Sequence, residues 1–167
     1  MQEICLLKRR IRALVLFFMA ALAASGLTAV PLAWELGQLN RLAGPGSALA
    51  AWLPAPGAWI GRVHDGLQAA CAAFPQISYG TDWLAFAHLV IAVAFIGLLR
   101  DPVRNRWVVE WGMLACALLV PWTLLMGAVR GIPWFWQLID MSFGVVGMLP
   151  LWFTRRSILR LEVLTQG

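Results

Sequence analysis

A histidine and an aspartate stand inside two long apolar runs of this chain, where neither residue type is at home. His88 falls in the run 83–99 and Asp140 in the run 134–153. An Asp at the centre of a membrane helix costs about 2.5–3.5 kcal/mol on insertion scales, so ionisable residues placed there read as functional. Counted inward from Trp83, His88 is five residues deep, about 7–8 Å at the helical rise. Asp140 is six residues deep from Trp134, about 9 Å. An imidazole and a carboxylate at one level can share a proton, which offsets most of the burial penalty. The expected chemistry is therefore proton donation or acceptance by His88, with Asp140 as its orienting partner. Ser142 and Gln137 are near Asp140 along the same run and extend the polar set. Ser25, Thr28 and Glu35 recur at intervals of three and seven in the first apolar run, which predicts one polar stripe. Asp82 and Arg130 sit at the same rim as Glu35. Together Thr28, Glu35, Asp82, Arg130 and Ser142 are the expected ligand-binding residues of a polar funnel. Glu110 reads differently: Arg106 is one turn away, an i,i+4 pair that can snorkel to headgroups.

The elements that must carry these residues follow from composition. Hydrophobic residues make up 61% of the 167 and charged ones 13%, against about 45–50% and about 25% in soluble domains. That excludes a soluble enzyme, a disordered chain and a disulfide-stapled module. A bilayer crossing needs about 20 apolar residues. Four stretches qualify, 13–34, 83–99, 107–129 and 134–153, separated by an outer segment 35–82 and two short turns. The predicted fold is all-α: an integral membrane four-helix transmembrane bundle, a single polytopic domain over 1–167.

Its expected orientation comes from sorting the basic residues. Lys8, Arg9, Arg10 and Arg12 precede span one, and Arg100, Arg104 and Arg106 join spans two and three. Arg155, Arg156 and Arg160 follow span four, while the opposite side holds Arg41, Arg62 and Arg130. This asymmetry over short loops places both termini in the cytoplasm by the positive-inside rule. The formal charge of +5 is then an orientation signal and not a nucleic-acid footprint. Trp34, Trp83, Trp134 and Trp136 fall at outer span ends, and Trp107, Trp111 and Trp152 at inner ends, as two interfacial belts. Lys8 to Arg12 followed by Ala21-Leu22-Ala23 has the outline of a signal peptide. The apolar run, however, continues to Trp34, too long for a removed segment, and reads as an uncleaved anchor.

The turns carry recognisable stops. Asp101-Pro102 offers an N-cap and a first-turn proline for span three. Gly131 suits a left-handed helix end, and Pro133 opens span four. Within the outer segment, residues 58–74 place Ile60, Val63, Leu67, Cys71 and Phe74 on one helical face. This predicts an amphipathic periplasmic helix between spans one and two, lying flat or capping the bundle. Cys5, Cys71 and Cys116 fall in three different compartments, which excludes a thiol–disulfide relay and a structural zinc site. His64 and His88 are the only histidines, and His64 belongs to the interfacial piece, so bis-histidine haem ligation is not expected. No metal is assigned.

The run Tyr79-Gly80-Thr81-Asp82-Trp83 through His88, then Arg100-Asp101-Pro102-Val103-Arg104-Asn105, then Arg130-Gly131-Ile132-Pro133 through Asp140, resembles a group of uncharacterised bacterial inner-membrane proteins. The resemblance covers the last three spans and implies that location, with no activity to transfer. The four-span plan with a buried His and acid is loosely similar to the sterol-isomerase and sigma-2-receptor family, which implies binding or protonation of an amphiphile. The expected function is a periplasm-facing pocket that binds or transforms a small amphiphile such as a lipid, isoprenoid or quinone. The alternative is a non-catalytic subunit or assembly partner of a larger membrane complex. Expected partners are the lipid bilayer, an amphiphilic ligand, and a second copy or another membrane protein; nucleic acid is not among them.

Overall fold

The computed structural model describes residues 2–166, and among them the regular structure is helical. The order is α1 (Gln2–Leu27), α2 (Leu32–Ala43), α3 (Ala48–Trp52), α4 (Pro54–Ala73), α5 (Ser78–Ala94), α6 (Ile96–Arg100), α7 (Arg106–Arg130) and α8 (Trp134–Gln166). A 3₁₀ turn over Pro75–Ile77 leads into α5. Four segments are long and apolar enough to cross a membrane: Gln2–Leu27, Pro75–Arg100, Arg106–Arg130 and Trp134–Thr165. The chain is thus built as a multi-pass membrane protein. It divides into two compact units, Met1–Ala21 with Ile91–Gly167, and Leu22–Val90.

The first unit is held by a closed cluster of Ile11, Val15, Phe95, Leu98, Val109 and Ile158, with Val108, Leu151 and Leu161 completing it. The spacing Ile4, Leu7, Ile11, Val15, Phe18 on α1 is a helical face, and every member joins or borders this cluster. The Phe18 and Phe95 rings pack at a tilt of 46°, their centroids 4.8 Å apart. Thr154 and Ser157 are buried with these apolar residues. Each hydroxyl donates to its own helix, to the carbonyls of Pro150 at 2.7 Å and Phe153 at 2.8 Å, so neither is left unpaired.

Charges tie the same unit. Arg106 bonds Glu162 at 2.7 Å and lies 3.4 Å from Glu110, while Arg155 reaches Glu110 at 3.0 Å. The expected Arg106–Glu110 pair is present, extended across α7 and α8 into a four-membered network. A further bridge, Arg160 to Glu3 at 2.6 Å, joins α8 to α1.

Helix ends follow local chemistry. Gly131 closes α7 at φ +64, the left-handed conformation expected of it, and the Ile132 amide donates to the Gly127 carbonyl at 2.9 Å. Gly131→Ala would force a Cβ into that conformation. It should lower stability by about 1–2 kcal/mol, read as a lower melting midpoint in detergent with helicity unchanged. Asp101 does cap, but it caps a separate turn. Its Oδ1 accepts from the Arg104 amide at 3.0 Å, and α7 begins four residues beyond Pro102, at Arg106.

Three expected boundaries need correction. Span one does not run through 34. Thr28 to Pro31 form turns, because Pro31 has no amide hydrogen to continue the ladder, and Pro31 precedes the first turn of α2. Trp34 therefore belongs to α2, and the outer segment contains two substantial helices where one was expected. Span four does not stop at 153, because Thr154, Ser157, Ile158 and Leu161 keep a buried stripe at helical spacing. Span two starts earlier than 83, since residues 78–82 are already helical.

In the second unit, Leu36 and Ala43 of α2, Ile60 of α4 and Ala85 of α5 are buried. The expected helix over 58–74 is α4, running from Pro54 to Ala73. Its oily line is buried at Ile60, half-buried at Val63, Leu67 and Cys71, and exposed at Phe74.

Candidate functional site

His88 is positioned by α5, a helix apolar from Trp83 onward but for His88 itself, whose first turn is tightened by Thr81 donating to the Ser78 carbonyl at 2.7 Å. One turn back from His88 is Leu84, whose carbonyl oxygen lies 2.8 Å from His88 Nδ1. A carbonyl only accepts, so Nδ1 carries a hydrogen, and in the neutral ring Nε2 is the acceptor. Within its own unit, and among the described residues, Nε2 has no hydrogen-bond partner. Gly26 lets the end of α1 lie against this ring. A side chain there would collide with the Cβ of His88 and stand 3.3 Å from the Ala85 carbonyl.

The remaining expected residues of this unit are engaged separately. Thr28 is not on a stripe with Ser25 and Glu35, because the helix ends at Leu27. Its hydroxyl instead donates to the Ser25 carbonyl at 2.7 Å. Glu35 lies in the first turn of α2, half-buried. Asp82 is exposed beside Tyr79, Trp83 and Phe86, whose rings meet edge to face at 5.9 and 5.7 Å.

Asp140, Ser142 and Arg130 belong to the other unit. Asp140 is half-buried on α8, six residues from its start. Within its own unit, among the described residues, it has no hydrogen bond or ion pair. Ser142 donates to the Ile139 carbonyl at 2.6 Å, and Gln137 donates to the Ile132 carbonyl at 2.7 Å. Both side chains are thus turned to their own backbone. Arg130 is exposed at the end of α7. His88 lies ten residues from the start of α5, so the expected match in depth rests on Trp83 and Trp134 rather than on helix ends.

A second imidazole proves better housed than its sequence position implied. His64 of α4 has Nδ1 3.0 Å from Asp65 Oδ1, so a carboxylate holds the proton on that nitrogen. Its Nε2 would stand 3.9 Å from a side-chain carbon placed on Gly37 of α2. The groove between α2 and α4, about 350 Å³, is lined by Trp34, Gly37, Gln38 and Arg41 on one side and His64 and Gln68 on the other. Asn40 also lines it, and its buried Oδ1 has no hydrogen-bond partner among the described residues. Sequence reasoning passed over this site because α2 was absorbed into span one, leaving His64 without an opposite wall. The signal was Pro31, which cannot sit inside a continuous helix without freeing a carbonyl.

Both histidines therefore donate from Nδ1, and in the neutral form each offers a lone pair at Nε2. Such a ring can take a proton, or accept a hydrogen bond from a ligand hydroxyl. Arg41 with Gln38 and Gln68 can hold a carbonyl, carboxylate or phosphate head. Among the described residues no three His, Cys, Asp or Glu side chains gather as a metal site. Comparison with protein-family models, curated proteins and solved structures gives no match.

Proposed function

We propose that this chain is a bacterial inner-membrane protein, both termini cytoplasmic, that binds or transforms a small amphiphile such as a lipid, isoprenoid or quinone. The observation that supports this best is the His88 ring in an apolar span, its orientation fixed at Nδ1 by the Leu84 carbonyl and its Nε2 without a partner within its unit among the described residues. Leu84 already fills the anchoring place at Nδ1. Asp140, a carboxyl in another apolar span, is the second residue this reading assigns. The groove of Arg41 and His64 would hold a polar head. The test is retention of a photoactivatable quinone and a photoactivatable isoprenoid alcohol by the purified full chain. Labelling of the wild type that falls at least about tenfold in both His88→Ala and Asp140→Asn supports the reading. Equal labelling in all three chains overturns it.

The second reading, an assembly partner, is favoured by one observation. Beside Pro121 on α7 lies a groove of about 530 Å³ formed by Ala115, Leu118, Leu119, Trp122 and Leu125. Trp122 lies in mid-span and is 63% exposed. Trp122→Ala should then disrupt a complex isolated from native membranes while leaving probe labelling unchanged.

A further inference from the structure

The first unit carries a charged groove that the reading above does not use. On α1, Glu3, Leu6, Leu7 and Arg10 recur at i, i+3, i+4 and i+7, one face of a helix. On α8, Phe153, Arg156, Ser157 and Arg160 repeat the same spacing. The two stripes face each other in antiparallel order around a groove of about 330 Å³. At one end Arg160 is bridged to Glu3 at 2.6 Å. At the other, the Arg10 guanidinium lies 5.6 Å from the centre of the Phe153 ring. Between them Arg156 lies 5.6 Å from the centre of the Trp152 ring. Three guanidiniums against a single carboxylate leave the groove two positive charges in excess. An aromatic face orients a guanidinium without neutralising it, and the fork keeps donors for an anion.

We propose that this groove binds the phosphodiester of an anionic phospholipid, with Arg10 and Arg156 as its donors. The choice of a lipid over a free phosphate rests on what flanks the guanidiniums. Leu6 is 65% exposed and Phe153 is 37% exposed, both on the groove wall. That gives the ester arms and acyl chains an apolar rest beside the charge. Basic pockets between membrane helices are where such headgroups are captured, at about tenfold or less per basic residue. The site lies on α1 and α8 and is independent of His88.

The experiment is native mass spectrometry of the full chain in mild detergent, titrated with phosphatidylglycerol, phosphatidylcholine or inorganic phosphate. The wild type should retain phosphatidylglycerol over phosphatidylcholine. Arg10→Gln with Arg156→Gln should reduce that retention by about tenfold or more. Arg9→Gln with Arg104→Gln removes the same charge but touches no groove residue, and should change it by no more than about threefold. Arg10→Lys with Arg156→Lys keeps the charge but not the fork and guards against misfolding of the Gln pair; it should lose part of the retention, less than the Gln pair loses. Equal losses in the two Gln pairs would overturn the site in favour of diffuse attraction. A Lys pair that loses as much as the groove Gln pair would also overturn it. Displacement of phosphatidylglycerol by about 10 mM inorganic phosphate would reassign the groove to a free anion and overturn the lipid.

Discussion

On the function proposed here, His88→Ala should leave the helices intact and remove proton transfer to or from the amphiphile. A positioned acid or base contributes about 10²–10⁴-fold to a rate, so turnover of an amphiphile would fall by at least the lower figure. The sharper variant is His88→Asn. Its amide can still donate to the Leu84 carbonyl, now 2.8 Å from Nδ1, yet it has no atom at the Nε2 position. Loss of activity in the Asn chain as deep as in the Ala chain, with normal helicity, assigns the work to Nε2. Full activity in the Asn chain would mean that the ring merely satisfies a carbonyl, and the proposed chemistry would fall with it. Because Gly26 packs on the Cβ of His88, neither variant adds atoms where space is shortest.

Phe95→Ala is the substitution expected to cost most in stability. Phe95 is 1% exposed, packs its ring against that of Phe18, and stands at the joint where α5 ends and α6 begins. Removing a buried aromatic side chain costs about 3–5 kcal/mol in a water-folded core. For helices already in lipid the transfer contribution shrinks, while the packing loss stays. A cost of about 3 kcal/mol follows, seen as an earlier unfolding midpoint in mixed micelles of rising dodecyl sulfate. A cost below about 1 kcal/mol would show that the cluster around Ile11 and Ile158 does not organise this unit.

Much of the fold was legible because lipid simplifies the rules. A span must be apolar for about 20 residues and must close its own hydrogen bonds. That is why α7 agrees with its expected run to within a residue at each end, and why Gly131 ends it as expected. The failures share a cause. Hydropathy ignores which face is apolar and where a ladder can start, so it carried span one past Pro31 and stopped span four at the first arginines. The stripe Leu151, Thr154, Ile158, Leu161 was visible at helical spacing, but Thr154 to Arg156 masked it. The Arg106–Glu110 pair could be read because it is local. Glu162 and Arg155 could not, since they join it only through packing of α8 on α7. His64 was undervalued for the same reason, its groove depending on α2.

The length of α8 has a mechanical consequence. At 33 residues it is about 50 Å long, well beyond the about 30 Å of a hydrocarbon layer. Pro150 interrupts its ladder 15 residues before Thr165, which leaves an arm of about 22 Å. A bend of about 10° at that proline would carry Thr165 through about 4 Å. Ile158 and Leu161 share a buried cluster with Ile11 and Val15, so the start of α1 would swing with the arm. A spin label on Thr165 is accordingly the place to read small changes of tilt, because the lever magnifies them there.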